Sequence, residues 1–303
     1  RIEAEADQPE TAALLDAALD HQRAPLLGLT GPPGVGKSTL TDALIRAYRA
    51  RGLTVAVIAI DPSSRRSGGA LLGDRTRMVR DPADTGVFVR SMAARDRLGG
   101  IAELTFPAAV IMGALFDRVI VETVGVGQSE TEIRVTADVV LFCAQPGSGD
   151  TLQAMKAGVL EIPDIVAVTK ADLGELARRS VADLKSALSL VDLGRDAPVE
   201  VLSVSAQDGS GIAALIDALE ARTGLRGRAA LVAARQAQAT AWTRLALAAG
   251  FGRRGLALFD ADSPRSGSIS PGSGPFAAGA RFASRLSGIM LQCNIETMSE
   301  RGP

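Results

Sequence analysis

An α/β fold built on a mostly parallel, doubly wound sheet is predicted by three features of this 303-residue chain. From about residue 26 to 222, short β-branched runs alternate with longer helical patterns, the order that builds parallel sheets. The short runs are almost continuously apolar, as strands covered on both faces are. The glycine-bearing and acidic motifs follow the ends of these runs, where such sheets bind their ligands.

In chain order, Gln8–His21 reads as a short amphipathic helix with Leu14, Leu15, Ala18 and Leu19 on one side. Candidate strands follow at Leu26–Thr30, Thr54–Ile60, Val87–Val89, Arg118–Glu122, Val139–Ala144, Asp164–Thr169 and Val199–Val204. Helical patterns fill much of the remainder at Lys37–Arg51, Gly99–Phe116, Leu173–Val191 and Gly211–Arg222. Ala229–Ala249 is rich in Ala, Arg and Gln and helical in propensity, with Trp242 inside it. Asp262–Gly274 is mostly Ser, Gly and Pro and reads as loop, and Phe276–Pro303 shows no clear periodicity. The expected organisation is an N-terminal helical extension over 1–24, a nucleotide-binding domain over 25–225, a C-terminal helical arm over 226–260 and an irregular tail over 261–303.

Composition narrows the function. Hydrophobic residues make 47% and charged residues 22%, an ordinary globular balance with enough length for a sizeable core. Lys and Arg total 33 against 34 Asp and Glu, for a net charge of -1, which argues against broad binding to nucleic acid or anionic membrane. Two cysteines, Cys143 and Cys293, exclude a disulfide scaffold and any CxxC site. Cys143 lies in an apolar strand and reads as core. The single histidine, His21, leaves no material for a His-rich metal site or a Ser-His-Asp triad. No apolar run reaches the roughly 18 residues of a membrane span, because Asp117, Arg118 and Glu122 interrupt Ala108–Val126. The chain starts at Arg1, which leaves a preceding segment, including a targeting peptide, open.

Gly31-Pro32-Pro33-Gly34-Val35-Gly36-Lys37-Ser38 fits G-x-x-x-x-G-K-[ST] between a strand and a helix. Its glycines let backbone N–H groups turn toward a phosphate, and the helix N-terminus adds its positive dipole end. Lys37 is expected on the β- and γ-phosphates and Ser38 on Mg²⁺, with Thr39 completing the phosphate-binding run. The motif marks a P-loop nucleoside triphosphatase but does not name the base.

The base is read from Thr169-Lys170-Ala171-Asp172, after a later strand. An aspartate there accepts from guanine N1–H and N2–H₂ together, a donor pair that adenine lacks. Lys170 would lay its stem along the base. Taken alone, Asp172 reads equally as a helix cap. Ser203-Val204-Ser205-Ala206 ends the next strand, where a backbone amide meets the guanine carbonyl oxygen, and the two motifs in this order select guanine. Thr169 departs from the commoner Asn-Lys-x-Asp.

Asp61, Asp74 and Glu122 are candidate acidic contacts for Mg²⁺, which takes oxygen ligands and keeps several waters. Turn formation before Pro62 and capping at Asp74 are the structural alternatives for the first two. Gly125 is placed to give its N–H to a γ-phosphate, coupling Thr123–Thr131 to GTP against GDP. Hydrolysis also needs an oriented water and charge stabilisation. Gln128 is a candidate for the first, and Arg66, Arg75, Arg77 and Arg95 are candidates for the second, although any single arginine among them reads more readily as solvated surface.

GPPGVGKSTL, AIDPSSRRSGGALLGDRTRM, RSMAARDRLGGIAEL, VETVGVGQSE and PGSGDTLQAMKAG together resemble the MeaB/ArgK GTPases, the methylmalonyl-CoA mutase-associated G proteins. The resemblance covers roughly 25–222 and continues more weakly through 227–250 at RQAQATAW. It implies a GTP- and GDP-binding chaperone that gates adenosylcobalamin loading of a cobalamin-dependent acyl-CoA mutase, protects that mutase, and hydrolyses GTP slowly until the mutase binds. It further implies a homodimer through the C-terminal arm, a cobalamin adenosyltransferase as a further partner, and a location in bacterial cytoplasm or mitochondrial matrix. By position it assigns Gly31–Thr39 to phosphates, Ser38, Asp61, Asp74 and Glu122 to Mg²⁺, and Lys170, Asp172, Ser205 and Ala206 to guanine. Three features depart from the family: Arg65-Arg66, Asp96, and the segment after 260. Competing readings are a nucleotide-regulated scaffold with negligible turnover, an ATP-dependent kinase or transport ATPase, and, more distantly, a nickel-delivery protein.

Overall fold

The computed structural model describes residues 8–62, 83–94, 104–123, 129–147, 163–189, 198–224, 227–262 and 274–299. The chain forms two compact units, one of residues 23–231 and one of residues 1–22 with 232–303.

The larger unit is a seven-stranded sheet. Its strands are β1 (Leu26–Thr30), β2 (Val55–Pro62), β3 (Val87–Ala94), β4 (Arg118–Glu122), β5 (Val139–Ala144), β6 (Ile165–Val168) and β7 (Glu200–Ser203). They lie in the order β3-β2-β4-β1-β5-β6-β7, and every pair is parallel. Its helices are α2 (Lys37–Ala50), α3 (Thr105–Leu115), α4 (Ser129–Thr136), α5 (Glu175–Ser189) and α6 (Ile212–Gly224).

The unbroken apolar runs have a simple cause. Alternate residues of each strand enter different cores on opposite faces. Val55, Val57 and Ala59 of β2 pack in one core with Leu40 and Leu44 of α2 and Leu215 and Leu219 of α6. Ala56, Ile58 and Ile60 pack in the other with Ala108 and Ala109 of α3 and Ile133 of α4. With both faces buried, Val55 to Ile60 of β2 leave no position to be polar. β3 is longer than the predicted Val87–Val89: it pairs with β2 residue for residue from Val87 to Ala94 and so carries polar Arg90 and Ser91. α4, which has no counterpart among the predicted helices, begins within the Thr123–Thr131 segment expected to respond to GTP against GDP.

The smaller unit contains α1 (Pro9–Asp20), most of α7 (Arg228–Asp262) and α8 (Pro275–Ser299). α7 breaks its helical geometry at Gly252 (φ 67°, ψ -175°), a residue type that tolerates such a kink. The tail expected to be irregular is corrected by α8. Its N-terminus is held by Asp16 of α1, whose carboxylate accepts from the backbone N–H groups of Phe276 at 3.0 Å and Ala277 at 2.9 Å. Trp242 packs on Phe276 at 5.5 Å and Phe259 meets Phe282 edge-on at 5.1 Å. Arg235 is fully buried, with its Nε donating to Gln22 at 3.2 Å. Among the described residues, no helix is long and apolar enough to cross a membrane.

Candidate nucleotide site

Every described candidate residue lies at the carboxyl end of the sheet. β1, the central strand, runs into the loop 31–36, and α2 starts from it at Lys37 with Gly36 as its cap (φ 95°, ψ 25°). Gly31 (φ 138°) is required twice over: its backbone conformation suits glycine, and a Cβ there would collide with the carbonyl oxygen of Cys143 on β5. The loop is thereby seated directly on the neighbouring strand.

Lys37 is buried at 8% exposure. Its ammonium donates to the carbonyls of Gly31 at 2.7 Å and Pro32 at 3.0 Å, folding over the loop it belongs to. Glu122 ends β4, in register with Leu29 of β1 on one side and Ala59 of β2 on the other. Its carboxylate takes two hydroxyl donors from α2: Ser38 to Oε1 at 2.7 Å and Thr41 to Oε2 at 2.8 Å. Next along the chain, Thr123 donates its backbone N–H to Leu29 at 2.9 Å and its hydroxyl lies 2.9 Å from that of Thr30. Burial pushes the Cys143 thiol up to about 12, and the charges of Lys37 and Glu122 act on it in opposite directions. Cys143 is therefore an inert core residue, as its strand position suggests.

The candidate base-binding motif, Thr169–Asp172, begins at the end of β6. Thr169 is 5% exposed. Its hydroxyl donates to the carbonyl of Val35 in the phosphate loop at 2.7 Å and lies 3.1 Å from the carbonyl of Ala144. This contact ties the two halves of the site together. Lys170 is the one non-glycine residue with positive φ among the described residues (φ 55°, ψ 46°). Such backbone strain concentrates at functional sites. Its ammonium donates to Oε1 of Gln145, at the end of β5, at 2.8 Å. Ala171 donates its N–H to Val204 at 3.0 Å, linking this turn to the end of β7.

Asp172 sits within a short 3₁₀ turn, Ala171–Leu173, whose cap position is Lys170. It is exposed and is not the residue preceding α5, so the capping role does not describe it. Ser205 is fully buried, and its Oγ accepts from the N–H groups of Gln207 at 3.3 Å and Asp208 at 3.4 Å. That turn holds the Ser205-Ala206 backbone beside the Thr169–Asp172 turn.

The structure thus brings together Gly31 to Thr39, Glu122, Thr169, Lys170, Asp172, Ser205 and Ala206 at one end of the sheet. The backbone of Asp61 lies at the end of β2, two residues beyond the partner of Glu122. Asp74, Gly125, Gln128, Arg66, Arg75, Arg77, Arg95, Arg65 and Asp96 lie outside the described residues. Sequence reading missed Thr41 and Gln145. The signal for Thr41 was its spacing: three positions after Ser38, it shares that residue's helix face. Gln145 had none beyond its place after a strand.

Comparison with known proteins agrees with this geometry. Residues 2–250 match the model of a family described as "Methylmalonyl Co-A mutase-associated GTPase MeaB". A putative GTPase of Pyrococcus abyssi is 55% identical over 148 residues, 48% of this chain and 46% of that protein, so the match spans about half of that relative's length. A probable GTPase of Mycobacterium bovis is 41% identical over 237 residues, 76% of this chain and 70% of that protein. The mouse protein "Methylmalonic aciduria type A homolog, mitochondrial" is 39% identical over 235 residues, 74% of this chain and 56% of that protein. Among solved structures, a "LAO/AO transport system kinase" superposes with a TM-score of 0.58 at 26% identity, covering 91% of this chain and 86% of that one. The phosphate loop seated against β5, the Thr169–Asp172 turn tied to it, and the family match over most of the chain lead to one conclusion: this chain belongs to the MeaB family of GTPases.

Proposed function

We propose that this chain binds GTP and GDP at the carboxyl end of the sheet, hydrolyses GTP slowly, and acts as a nucleotide-gated chaperone of a cobalamin-dependent acyl-CoA mutase. The observation that carries the nucleotide part is the hydroxyl of Thr169 on the carbonyl of Val35, because it makes the base-reading turn and the phosphate loop one mechanical unit. The family description, mutase-associated GTPase, supports the client.

Each half of the site has a separate task. The loop 31–36 offers backbone N–H groups and the start of α2 to the phosphates. Lys37, now satisfied by loop carbonyls, exchanges them for phosphate oxygens. Asp172 accepts from the two guanine donors, Lys170 supplies a wall along the base, and the Ser205-Ala206 backbone meets the guanine carbonyl. The fit for Mg²⁺ rests on the donor chemistry: a hydroxyl and a carboxylate, both hard oxygens, touch at the mouth of the phosphate loop. Ser38 and Glu122 would hold the ion, with Asp61 and Asp74 as further acidic contacts. When bound, Mg²⁺ neutralises charge on the phosphate oxygens. Gly125 and Gln128 remain the proposed γ-phosphate contact and water-orienting residue.

Steady-state GTP hydrolysis, alone and with a saturating cobalamin-dependent mutase from the same source, tests the proposal. A slow basal rate that rises severalfold with the mutase is expected. Tight GTP binding with a rate indifferent to the mutase would contradict the chaperone role and leave a nucleotide-regulated scaffold.

A further inference from the structure

Glu122 is held from two sides by one helix. Glu122 is 5% exposed, and Thr41, fully buried, faces its Oε2 while Ser38 faces its Oε1. An ionised carboxylate only accepts, so both hydroxyls donate to it. Ser38 and Thr41 are one turn apart on α2, and the two bonds span the carboxylate like the two ends of a clamp. A glutamate has one more rotatable bond than an aspartate, and fixing one oxygen removes that freedom. The other oxygen is then presented to Ser38 in a single orientation. Thr41 is fully buried, so its hydroxyl makes this hydrogen bond out of reach of solvent.

We infer that Thr41 is a positioning residue of the metal–phosphate site: through Glu122 it sets the orientation of the Ser38 hydroxyl and thereby the coupling between Mg²⁺ and nucleotide. The inference rests on the nucleotide-binding reading above. Supporting groups that orient metal contacts typically change metal affinity by about 10- to 100-fold when removed. The effect should therefore appear in the metal dependence of binding and not in binding of the nucleotide alone.

The experiment is GDP titration into the full chain by calorimetry, in excess Mg²⁺ and again in EDTA. The ratio of the two affinities measures the coupling. Thr41→Val removes the donor and keeps the branched shape. It is expected to lower the ratio by about tenfold or more, with the affinity in EDTA unchanged. Thr41→Ser restores the donor and should restore the ratio. In a Glu122→Gln background, Thr41→Val should cause no further change in the ratio.

An unchanged ratio in Thr41→Val overturns the inference. So does an equal loss with and without Mg²⁺, which marks a merely structural residue. Should Thr41→Val fail to fold, Thr41→Cys, of similar volume but a weak donor, carries the same expectation and the same refutation. A wild-type chain that binds GDP in a Mg²⁺-dependent way while the variants match it refutes the role of Thr41 alone. A wild-type chain that binds no GDP refutes the nucleotide reading and this inference with it.

Discussion

Thr169→Val is the most informative single change at the site, because it cuts the link between base reading and phosphate binding without altering the shape of the strand end. The substitution removes one hydroxyl. Ala144 keeps a partner for its carbonyl, since it already accepts from the backbone N–H of Thr169 at 2.8 Å. The cost therefore falls on the carbonyl of Val35, whose residue is 2% exposed. Leaving a buried acceptor unmade costs about 1–3 kcal/mol. In the free protein the phosphate loop relaxes to relieve that cost, and nucleotide binding must order it again. Much of the penalty then appears as lost affinity, about 5- to 150-fold at roughly 1.4 kcal/mol per tenfold. The assay is equilibrium binding and release of a fluorescent GDP, with Thr169→Ser as the control that keeps the hydroxyl. Thr169→Val binding GDP as tightly as wild type would refute the view that this contact unites the two halves of the site.

Two further outcomes follow from the fold beneath the site. Gly31→Ala forces a side chain into the carbonyl of Cys143 at a positive φ. A strained backbone of this kind costs about 1–3 kcal/mol before the collision is counted. The apo protein should lose more stability than with Gly34→Ala, whose Cβ meets nothing, and equal unfolding curves for the two would contradict the seating of the loop on β5. Asp117 accepts from the Thr54 backbone N–H at 2.9 Å and the Thr54 hydroxyl at 2.7 Å, which hold its carboxyl below the usual range. In the unfolded chain it binds protons more readily, so its contribution to stability is complete above its ordinary value and is lost as pH falls through the lower folded-state value. Asp117→Asn should be destabilised at neutral pH, with the gap to wild type closing below about pH 4. A gap independent of pH in denaturant titrations would contradict this.

What was legible in the sequence was whatever local pattern encodes. β1, β4 and β5 appear at their predicted bounds because burial on both faces leaves a continuous apolar signature, and the phosphate loop declares itself by glycine spacing between a strand and a helix. The remainder depends on partners distant in the chain. α8 is capped by Asp16, some 260 positions earlier, and its Ser/Gly/Pro-rich approach offers no local hint of that contact. β3 extends past its first apolar run, Val87–Val89, because β2 supplies the pairing. Within the site, the tie made by Thr169 is not encoded locally because its acceptor, Val35, is 134 positions away. Thr41 offered only its helical spacing from Ser38, because its partner, Glu122, lies on β4, 81 positions away.

The central claim, that the turns after β6 and β7 read guanine, is tested most directly by displacement of a fluorescent GDP with unlabelled GDP, ADP and XDP on wild type and on Asp172→Asn. Asp172 accepts two donors from guanine, and the asparagine amide instead offers one acceptor and one donor, the complement of xanthine. The expected result is displacement of the probe from wild type by GDP far better than by ADP or XDP, and a shift of preference toward XDP in the variant. Equal displacement of the probe from wild type by ADP, or an unchanged preference in Asp172→Asn, would contradict the placement of the base and with it the account of the site.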